Sequence, residues 1–169
     1  MIKPGQILLL ILILSVVFVA CEQERDPCLQ PRTVSTRILF QKALESDTGV
    51  IVSDSALPNA IVGVPDSPGR LIIGQTGKRL TLLPIVLSPH ADSTRIYIIP
   101  DSAKTGPFDV DTVTFYYQRR LAFISTACGY TYHYFLNGLR TTNNNIDSAI
   151  ITTPDVNDNV NIRHVKIYY

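Results

Sequence analysis

Apolar and polar residues alternate along most of the chain from residue 32 onwards, which is the period that half-buried β-strands show. The first such stretch is residues 34–41, where apolar or β-branched side chains occupy every second position. The same stretch also fits a short helix, because Leu39 and Ala43 would lie one helical turn apart. We interpret it as a strand.

A second predicted strand covers residues 80–87, which are apolar on both faces, as they would be in a central strand. Pro84 interrupts this run. Because proline cannot donate a backbone hydrogen bond, it predicts an edge position or a β-bulge. Residues 95–99 form a further predicted strand after the turn-forming residues 88–92.

A hairpin is predicted between residues 111–118 and 121–126, with Arg119 and Arg120 in its turn. Three further alternating stretches follow, at residues 130–136, 146–152 and 162–168. The turn-forming clusters that separate these stretches are Asn137-Gly138, residues 142–145 and residues 153–155.

Seven or eight short strands at this spacing predict an all-β fold, a single antiparallel β-sandwich of the immunoglobulin-like or a similar type. Residues 48–77 are rich in Gly, Pro, Ser and Asp, so they form either a long loop or loosely paired strands. Since no internal repeat or second boundary is visible, residues 32–169 are expected to be one β-sandwich domain.

The start of the chain has a different pattern, since residues 7–20 are apolar except for Ser15, and Lys3 precedes them. As a helix, this run would span about 21 Å, whereas a bilayer core is about 30 Å thick. A positive start, a short apolar middle and small residues at its end are typical of a secretion signal.

The apolar run ends in Phe18-Val19-Ala20-Cys21, which resembles the lipobox read by lipoprotein signal peptidase, although Phe18 replaces the usual leucine. The resemblance implies cleavage before Cys21 and acylation of its thiol, with enough acyl chains for stable anchoring. The alternatives are an ordinary cleaved signal and an uncleaved anchor. We therefore expect residues 1–20 to be a lipoprotein signal peptide and residues 21–31 a lipidated tether.

Charge excludes one class of partner. Removing residues 1–20 from the 169 residues leaves 149, and Lys3 is the only charged residue lost, so 14 basic and 14 acidic residues remain. A net charge near zero argues against nucleic acid, which generally requires a basic surface. The mature chain also has no polybasic patch for lipid headgroups, so its expected contact with the membrane is the lipid on Cys21.

Acidic residues follow Cys21 directly, at Glu22, Glu24 and Asp26. They resemble the surface-export signals of lipoproteins from the Bacteroidetes. The alternative is a solvated linker, and the sequence favours neither. We expect an outer-membrane lipoprotein that faces the periplasm or the cell surface.

The chain has three cysteines, an odd number for an exported protein. If Cys21 carries lipid, Cys28 and Cys128 remain as a pair in a compartment where disulfides persist. The alternative is two separate buried thiols.

Six short segments together resemble a family of uncharacterised Bacteroidetes lipoproteins. They are Asp26-Pro27-Cys28, LLPIVL at residues 82–87, DTVTFYY at 111–117, ACGY at 127–130, IDS at 146–148 and VKIY at 165–168. The resemblance implies a lipid-anchored β domain and the cysteine pair. It supplies no catalytic residues.

No catalytic motif is found by direct search. The chain lacks a Gly-x-Ser-x-Gly elbow. Residues 74–78, GQTGK, lack the spacing of a phosphate loop and are interpreted as a β-turn. Asp109 and Asp111 are either a carboxylate pair or, as we favour, a strand start in which one aspartate caps the turn.

Metal binding is not indicated either. His90, His133 and His164 do not lie at metal-ligand spacing. Residues 155–161 are rich in Asp and Asn, which calcium prefers, but they lack the glycine and distal glutamate of a calcium-hand loop. We interpret them as a hairpin turn, and we predict no metal, no cofactor and no catalytic residue.

The aromatic residues give one candidate ligand surface. Tyr130, Tyr132 and Tyr134 would form a stripe on one face of a strand, able to stack against sugar rings or a partner strand. The alternative is a core or cross-strand ladder, because aromatic residues favour strands in any case. The chain has no Trp, which weakens the sugar hypothesis.

These observations together favour a non-enzymatic, lipid-anchored protein of the cell envelope that binds or braces another envelope component, such as a protein partner. The second hypothesis is a glycan-binding or glycan-processing module that uses the tyrosine stripe and a carboxylate such as Asp111. Exposed tyrosines would favour this second hypothesis, and buried ones would exclude it.

Overall fold

The computed structural model describes Gly5 and residues 27–29, 33–47, 49–65, 71–73, 79–103 and 109–169. The predicted signal peptide, apart from Gly5, lies outside these described residues. So do Cys21, the acidic residues after it and the GQTGK segment at 74–78. Across the residues that the structure describes, no helix has the length and apolar character needed to cross a bilayer.

The regular elements from residue 27 onwards are strands, eleven of them in the described ranges. They are β1 (Ser35–Ser46), β2 (Gly49–Asp54), β3 (Ile61–Gly63), β4 (Leu71–Ile73), β5 (Leu82–Val86), β6 (Ser93–Ile99), β7 (Asp111–Ser125), β8 (Gly129–Thr141), β9 (Ser148–Ile151), β10 (Asp155–Val156) and β11 (Val165–Tyr168).

The first sheet has the order β2-β1-β11-β9, with β5 also paired to β1. Strand β1 is central because β5 pairs with its first half, at residues 35–39, and β2 with its second half, at residues 41–46. Strand β11 lies along the opposite edge of β1 and runs parallel to it. The other pairs of this sheet are antiparallel.

The second sheet has the order β10-β8-β7-β6-β3-β4, and all of its pairs are antiparallel. Its centre is the pair of long strands β7 and β8, with 15 and 13 residues. Both strands are much longer than the usual strand of about five or six residues.

One hydrophobic core joins the two sheets. The first sheet contributes Ile38, Phe40, Leu83, Ile85, Val165 and Ile167, and the second contributes Val62, Ile96, Ile98, Val113, Phe115 and Leu136, all at most 2% exposed. Alternate residues of the strands that build this core point inwards, as in a sandwich. The predicted all-β sandwich is therefore confirmed, with the parallel β1–β11 pair as an addition that the sequence pattern did not predict.

Pro84 lies within β5, opposite Arg37 of β1. The backbone N–H and C=O of Arg37 are hydrogen-bonded to His164 on the other side of β1. Arg37 and Pro84 are therefore a non-hydrogen-bonded pair of the β1–β5 ladder. Because no hydrogen bond to β1 is required from the backbone nitrogen at position 84, a proline is tolerated there. The predicted edge position of this strand agrees with its single partner, β1, among the described strands.

The predicted turn at Arg119 and Arg120 is wrong. Strand β7 continues through both residues, which pair with Tyr134 and His133 of β8. The turn lies instead at residues 126–128, and Gly129 after it has φ +75°, a backbone conformation that glycine adopts without strain.

The predicted turn at Asn137-Gly138 is also wrong, because both residues lie inside β8. The register of the β7–β8 pair shifts here: Tyr116 pairs with Gly138 and Tyr117 with Leu136. Asn137 is therefore the additional residue of a β-bulge. A Cβ atom on Gly138 would lie 3.4 Å from the side chain of Tyr116, so the ring of that tyrosine packs over the glycine.

Candidate functional site

The β7–β8 hairpin extends beyond the core, and its far end exposes apolar side chains. Leu121, Phe123, Tyr130 and Tyr132 are 62%, 59%, 63% and 39% exposed. Leu121 pairs with Tyr132, and Phe123 pairs with Tyr130, so the four side chains share one face of the hairpin. We call these four residues the hairpin patch.

The hairpin patch is ordered by contacts within itself and with the core. The rings of Phe123 and Tyr130 meet edge to face, with their centroids 5.3 Å apart. Its face continues that of the buried Tyr117 and Tyr134 nearer the core, whose rings also meet edge to face at 5.2 Å. The patch is therefore the extension of a core face past the point where the other sheet covers it.

A disulfide joins the tip of this hairpin to the beginning of the chain. The sulfur atoms of Cys28 and Cys128 are bonded, and their Cα atoms are 4.8 Å apart across a sequence separation of 100 residues. Cys128 lies in the β7–β8 turn, where its backbone N–H donates to the Ser125 hydroxyl at 3.0 Å. The predicted pairing is confirmed, and it holds the chain end beside the patch. Leu29, the next residue after Cys28, is 90% exposed.

The predicted tyrosine stripe is divided by the edge of the core. Tyr130 and Tyr132 are exposed and belong to the hairpin patch, whereas Tyr134 is only 4% exposed. The Tyr134 hydroxyl donates to the Leu87 carbonyl at 3.2 Å. Burial raises the pKa of Tyr134 above its usual value. This tyrosine therefore ties the hairpin to the end of β5.

Tyr117 makes a second tie of the same kind. Its hydroxyl lies 3.0 Å from the Ser88 carbonyl and 2.7 Å from the Thr94 hydroxyl. Burial raises the pKa of Tyr117, and these hydrogen bonds oppose the shift. The loop after β5 is thereby fixed to the hairpin.

Arg119 completes the attachment of this loop. Its guanidinium donates to the Pro89 carbonyl and to the Asp92 carboxylate, both at 2.8 Å. Between the loop and the hairpin lies a cavity of about 240 Å³, lined on one side by Tyr130 and Tyr132 and on the other by Pro89 and His90. A larger cavity of about 580 Å³ is lined mainly by β5, by the same loop and by β6.

A second exposed apolar surface lies at the far end of β1. Residues 42–54, which we call the β1–β2 arm, expose every side chain whose burial is described. They include Leu44, Val50, Ile51 and Val52, which are 50%, 66%, 55% and 48% exposed. Strand β2 forms one edge of the first sheet. Among the described strands, the arm therefore ends in an unpaired edge strand with apolar side chains.

Asp111 has a structural environment. Its side chain is fully buried, and its carboxylate accepts hydrogen bonds from the Thr142 hydroxyl and from the backbone N–H groups of Asn144, Asn145 and Ile146, at 2.7–3.1 Å. Asp109 is exposed. This agrees with a strand start in which one aspartate caps a turn.

The three histidines lie in different environments: His90 is exposed, His133 is half-buried and His164 is fully buried. The Nδ1 atom of His164 accepts the backbone N–H of Arg37 at 3.0 Å. Burial lowers the pKa of His164, and the charge of Arg37 lowers it further, while the backbone of Asp155 opposes the shift. His164 therefore serves as a neutral hydrogen-bond acceptor.

Two side chains of residues 155–161 form local hydrogen bonds. The side-chain oxygens of Asn157 and Asn159 accept the backbone N–H groups two residues further on, both at 3.0 Å, which is the Asx-turn arrangement. Asp155 forms an ion pair with Arg120. In the described part of the chain, no group of three or more His, Cys, Asp or Glu side chains is placed to hold a metal ion.

The sequence predicts Tyr130 and Tyr132 as part of a ligand surface, but it does not identify Leu121 and Phe123, which complete the hairpin patch, or the β1–β2 arm. The signal for the hairpin patch is Leu121 and Phe123, two residues apart on the face that Tyr130 and Tyr132 share. The predicted turn at Arg119 and Arg120 hides this signal, because it pairs residues 121–126 with residues 111–118 and not with β8.

A family model described as "Family of unknown function" (DUF6452) matches residues 61–169. The matched region contains all six strands of the second sheet, including the β7–β8 hairpin. No curated protein and no solved structure matches the chain significantly.

Proposed function

Because the chain belongs to the family of unknown function (DUF6452), whose description supplies no activity, we propose its role from its own surfaces. It is a non-enzymatic, lipid-anchored protein of the cell envelope, and it binds another envelope protein through the β1–β2 arm. The open apolar edge of that arm is the observation that carries this proposal.

The envelope location is supported by the chain's first residues and by its disulfide. The apolar run at residues 7–20 and the lipobox-like ending at Cys21 favour export and lipidation. A disulfide between Cys28 and Cys128 suits an oxidising compartment. The resemblance to Bacteroidetes lipoproteins favours attachment to the outer membrane, facing the periplasm or the cell surface.

The partner contact follows from the hydrogen bonding of β2. Leu44 pairs with Ile51 and Ala43 with Val52. The Phe40 carbonyl accepts the Ser55 N–H at 3.0 Å, so even-numbered residues of β1 direct their backbone groups towards β2. In this register, the backbone groups of Val50 and Val52 face away from β1. They are available to an extended segment of a partner protein, which would add a strand to the sheet.

In-cell crosslinking of the tagged protein, followed by mass spectrometry, tests this proposal. We expect wild type to recover a single protein in near-equal amount. A Val52→Lys variant should lose it, because a lysine on an edge strand opposes further pairing. Val160→Lys is the matched control, since Val160 is similarly exposed, at 56% against 48%, but lies outside the arm. A Cys21→Ser variant should also lose the partner if binding requires attachment to the membrane.

Two results would contradict the proposal. Recovery of the same protein with Val52→Lys would exclude the arm as its binding surface. Recovery of no specific protein with wild type would favour a small-molecule or glycan ligand instead.

The exposure of Tyr130 and Tyr132 supports a second candidate function, the binding of an envelope glycan. Aromatic faces stack against sugar rings, and the adjoining cavity would admit part of a chain. Asp111, the carboxylate considered for glycan processing, is buried and hydrogen-bonded to its own loop. Pull-down with purified envelope glycan, compared between wild type and Tyr130→Ala, tests binding; equal retention of both would count against it.

A further inference from the structure

The distance between the lipid and the hairpin is limited by the chain. Cys21 and Cys28 are seven residues apart, and seven extended residues reach at most about 25 Å. The disulfide fixes Cys28 to the tip of the hairpin at Cys128. If Cys21 is lipidated, as proposed above, Cys28 therefore stays within about 25 Å of the bilayer surface. The Cα atom of Cys128, at the tip of the hairpin, lies 4.8 Å from that of Cys28.

We propose that the hairpin patch rests on the bilayer surface, so that Leu121, Phe123, Tyr130 and Tyr132 lie at the level of the lipid headgroups. This inference rests on the lipid anchor of the proposed function. It adds a second, non-covalent contact with the membrane and defines the orientation of the domain.

The composition of the hairpin patch suits a bilayer interface. Tyrosine is enriched where membranes meet water, because its ring is apolar and its hydroxyl remains hydrated. Leu121 and Phe123 pair directly with the two tyrosines and would enter the acyl boundary beside them. Between Gln118 and Phe135 the sequence carries no acidic residue, so the hairpin itself offers no negative charge to repel anionic headgroups.

A bilayer fits the hairpin patch better than a glycan does. Sugar sites combine an aromatic face with polar side chains that bind hydroxyl groups. Here the residues that pair with the tyrosines are Leu121 and Phe123, whose side chains have no hydrogen-bonding groups. The apolar side chains also project at the end of the hairpin to which the disulfide joins Cys28, seven residues after Cys21 in the sequence.

This orientation places the β1–β2 arm away from the membrane. Thr33 and Val34, just before β1, line the cavity that Tyr130 and Tyr132 also line. Strand β1 has 12 residues, and its first and last Cα atoms are about 36 Å apart at about 3.3 Å per step. The arm is at the far end of β1, so a domain that rests on its hairpin patch presents the arm to a partner well above the bilayer.

Tryptophan fluorescence tests the contact, because the chain has no Trp and each variant below carries a single reporter. Tyr130→Trp places it in the hairpin patch. Tyr116→Trp is the control, since Tyr116 is 42% exposed and alternates with the inward-facing Phe115 and Tyr117 on the same strand. The full-length lipidated variants are reconstituted into vesicles of phosphatidylethanolamine and phosphatidylglycerol, with and without brominated acyl chains.

We expect brominated lipid to quench Tyr130→Trp at least about twofold more than Tyr116→Trp, because only the first would lie at the interface. Equal quenching of the two variants, in protein that floats with the vesicles, would overturn the docking and leave the anchor intact. If the protein does not float with the vesicles, both the lipid anchor and the docking of the hairpin patch are excluded. Emission of Tyr130→Trp that responds to soluble envelope glycan, and not to brominated lipid, would overturn the inference in favour of a glycan.

Discussion

Loss of the Cys28–Cys128 disulfide should destabilise the domain by a predictable amount. In the unfolded chain the bond closes a loop of 100 residues, for which the loop-closure entropy corresponds to about 4.7 kcal/mol. The full value does not apply, because the same bond also restrains the native protein. Cys28 lies only six residues before Val34, the first buried residue of the described domain.

Without the bond, the native state would gain the conformational entropy of the six-residue segment between Cys28 and Val34, which would no longer be closed into a loop. The same relation gives about 2 kcal/mol for closing a six-residue loop. The difference, about 2.5 kcal/mol, is the expected loss in free energy of unfolding. For a domain of this size it corresponds to a fall in melting temperature of about 5–10 °C.

Urea and thermal unfolding of a Cys28→Ser variant would measure this loss. The variant leaves the more buried Cys128 in place, so it tests the bond with little change in packing. Wild type in reducing agent is the control and should unfold like the variant. A loss below about 1 kcal/mol, or a reduced wild type as stable as the oxidised one, would refute the reasoning.

Two further predictions concern buried polar groups. Asp111→Asn should lower the free energy of unfolding by about 3 kcal/mol, because an amide nitrogen would face backbone N–H donors; the exposed Asp109→Asn is the control, and urea unfolding that ranks both variants equally would contradict the capping role. His164 has an unfolded pKa near 6.5 and a lowered pKa in the folded protein. As pH falls below about 6.5 the unfolded state therefore takes up a proton first, and stability should decline with a limiting slope of about 1.4 kcal/mol per pH unit. His164→Asn retains an acceptor for the Arg37 N–H and should flatten this slope, whereas the exposed His90→Gln should not; an unchanged slope in His164→Asn would contradict the assignment.

The sandwich was predictable because both sheets follow the two-residue period. Residues 34–41 and 111–117 alternate in the sequence, and the structure buries Ile38, Phe40, Val113 and Phe115 from them. The Cys28–Cys128 pair was predictable because the chain has three cysteines, and assigning Cys21 to the lipid leaves these two. These features depend on local pattern and on counting, which a single sequence contains.

The parallel β1–β11 pair was not predictable in the same way. It joins Ile38 to Val165, residues at opposite ends of the domain, and the alternation of each strand says nothing about its neighbour. The misplaced hairpin turn has a different cause. The sequence predicts a turn at Arg119 and Arg120 because they interrupt an apolar pattern. In the structure both lie within a continuous strand and form ion pairs with Asp92 and Asp155.

The exposure of the hairpin patch also could not be predicted from the sequence pattern. Alternation shows that Tyr130, Tyr132 and Tyr134 share a face, but not where the opposite sheet stops covering it. The boundary falls between Tyr132, which is 39% exposed, and Tyr134, which is 4% exposed. It depends on the length of β7 and β8 relative to the strands packed against them.

Both proposals depend on lipidation of Cys21, and the intact mass of the protein purified from membranes tests it most directly. The account predicts a mature chain that begins at Cys21, with the added mass of its acyl chains and two hydrogens lost to the disulfide. A Cys21→Ser form should lack the acyl mass. An unmodified amino terminus at any other residue would contradict the anchor, the partner binding that depends on its membrane address, and the docking of the hairpin patch.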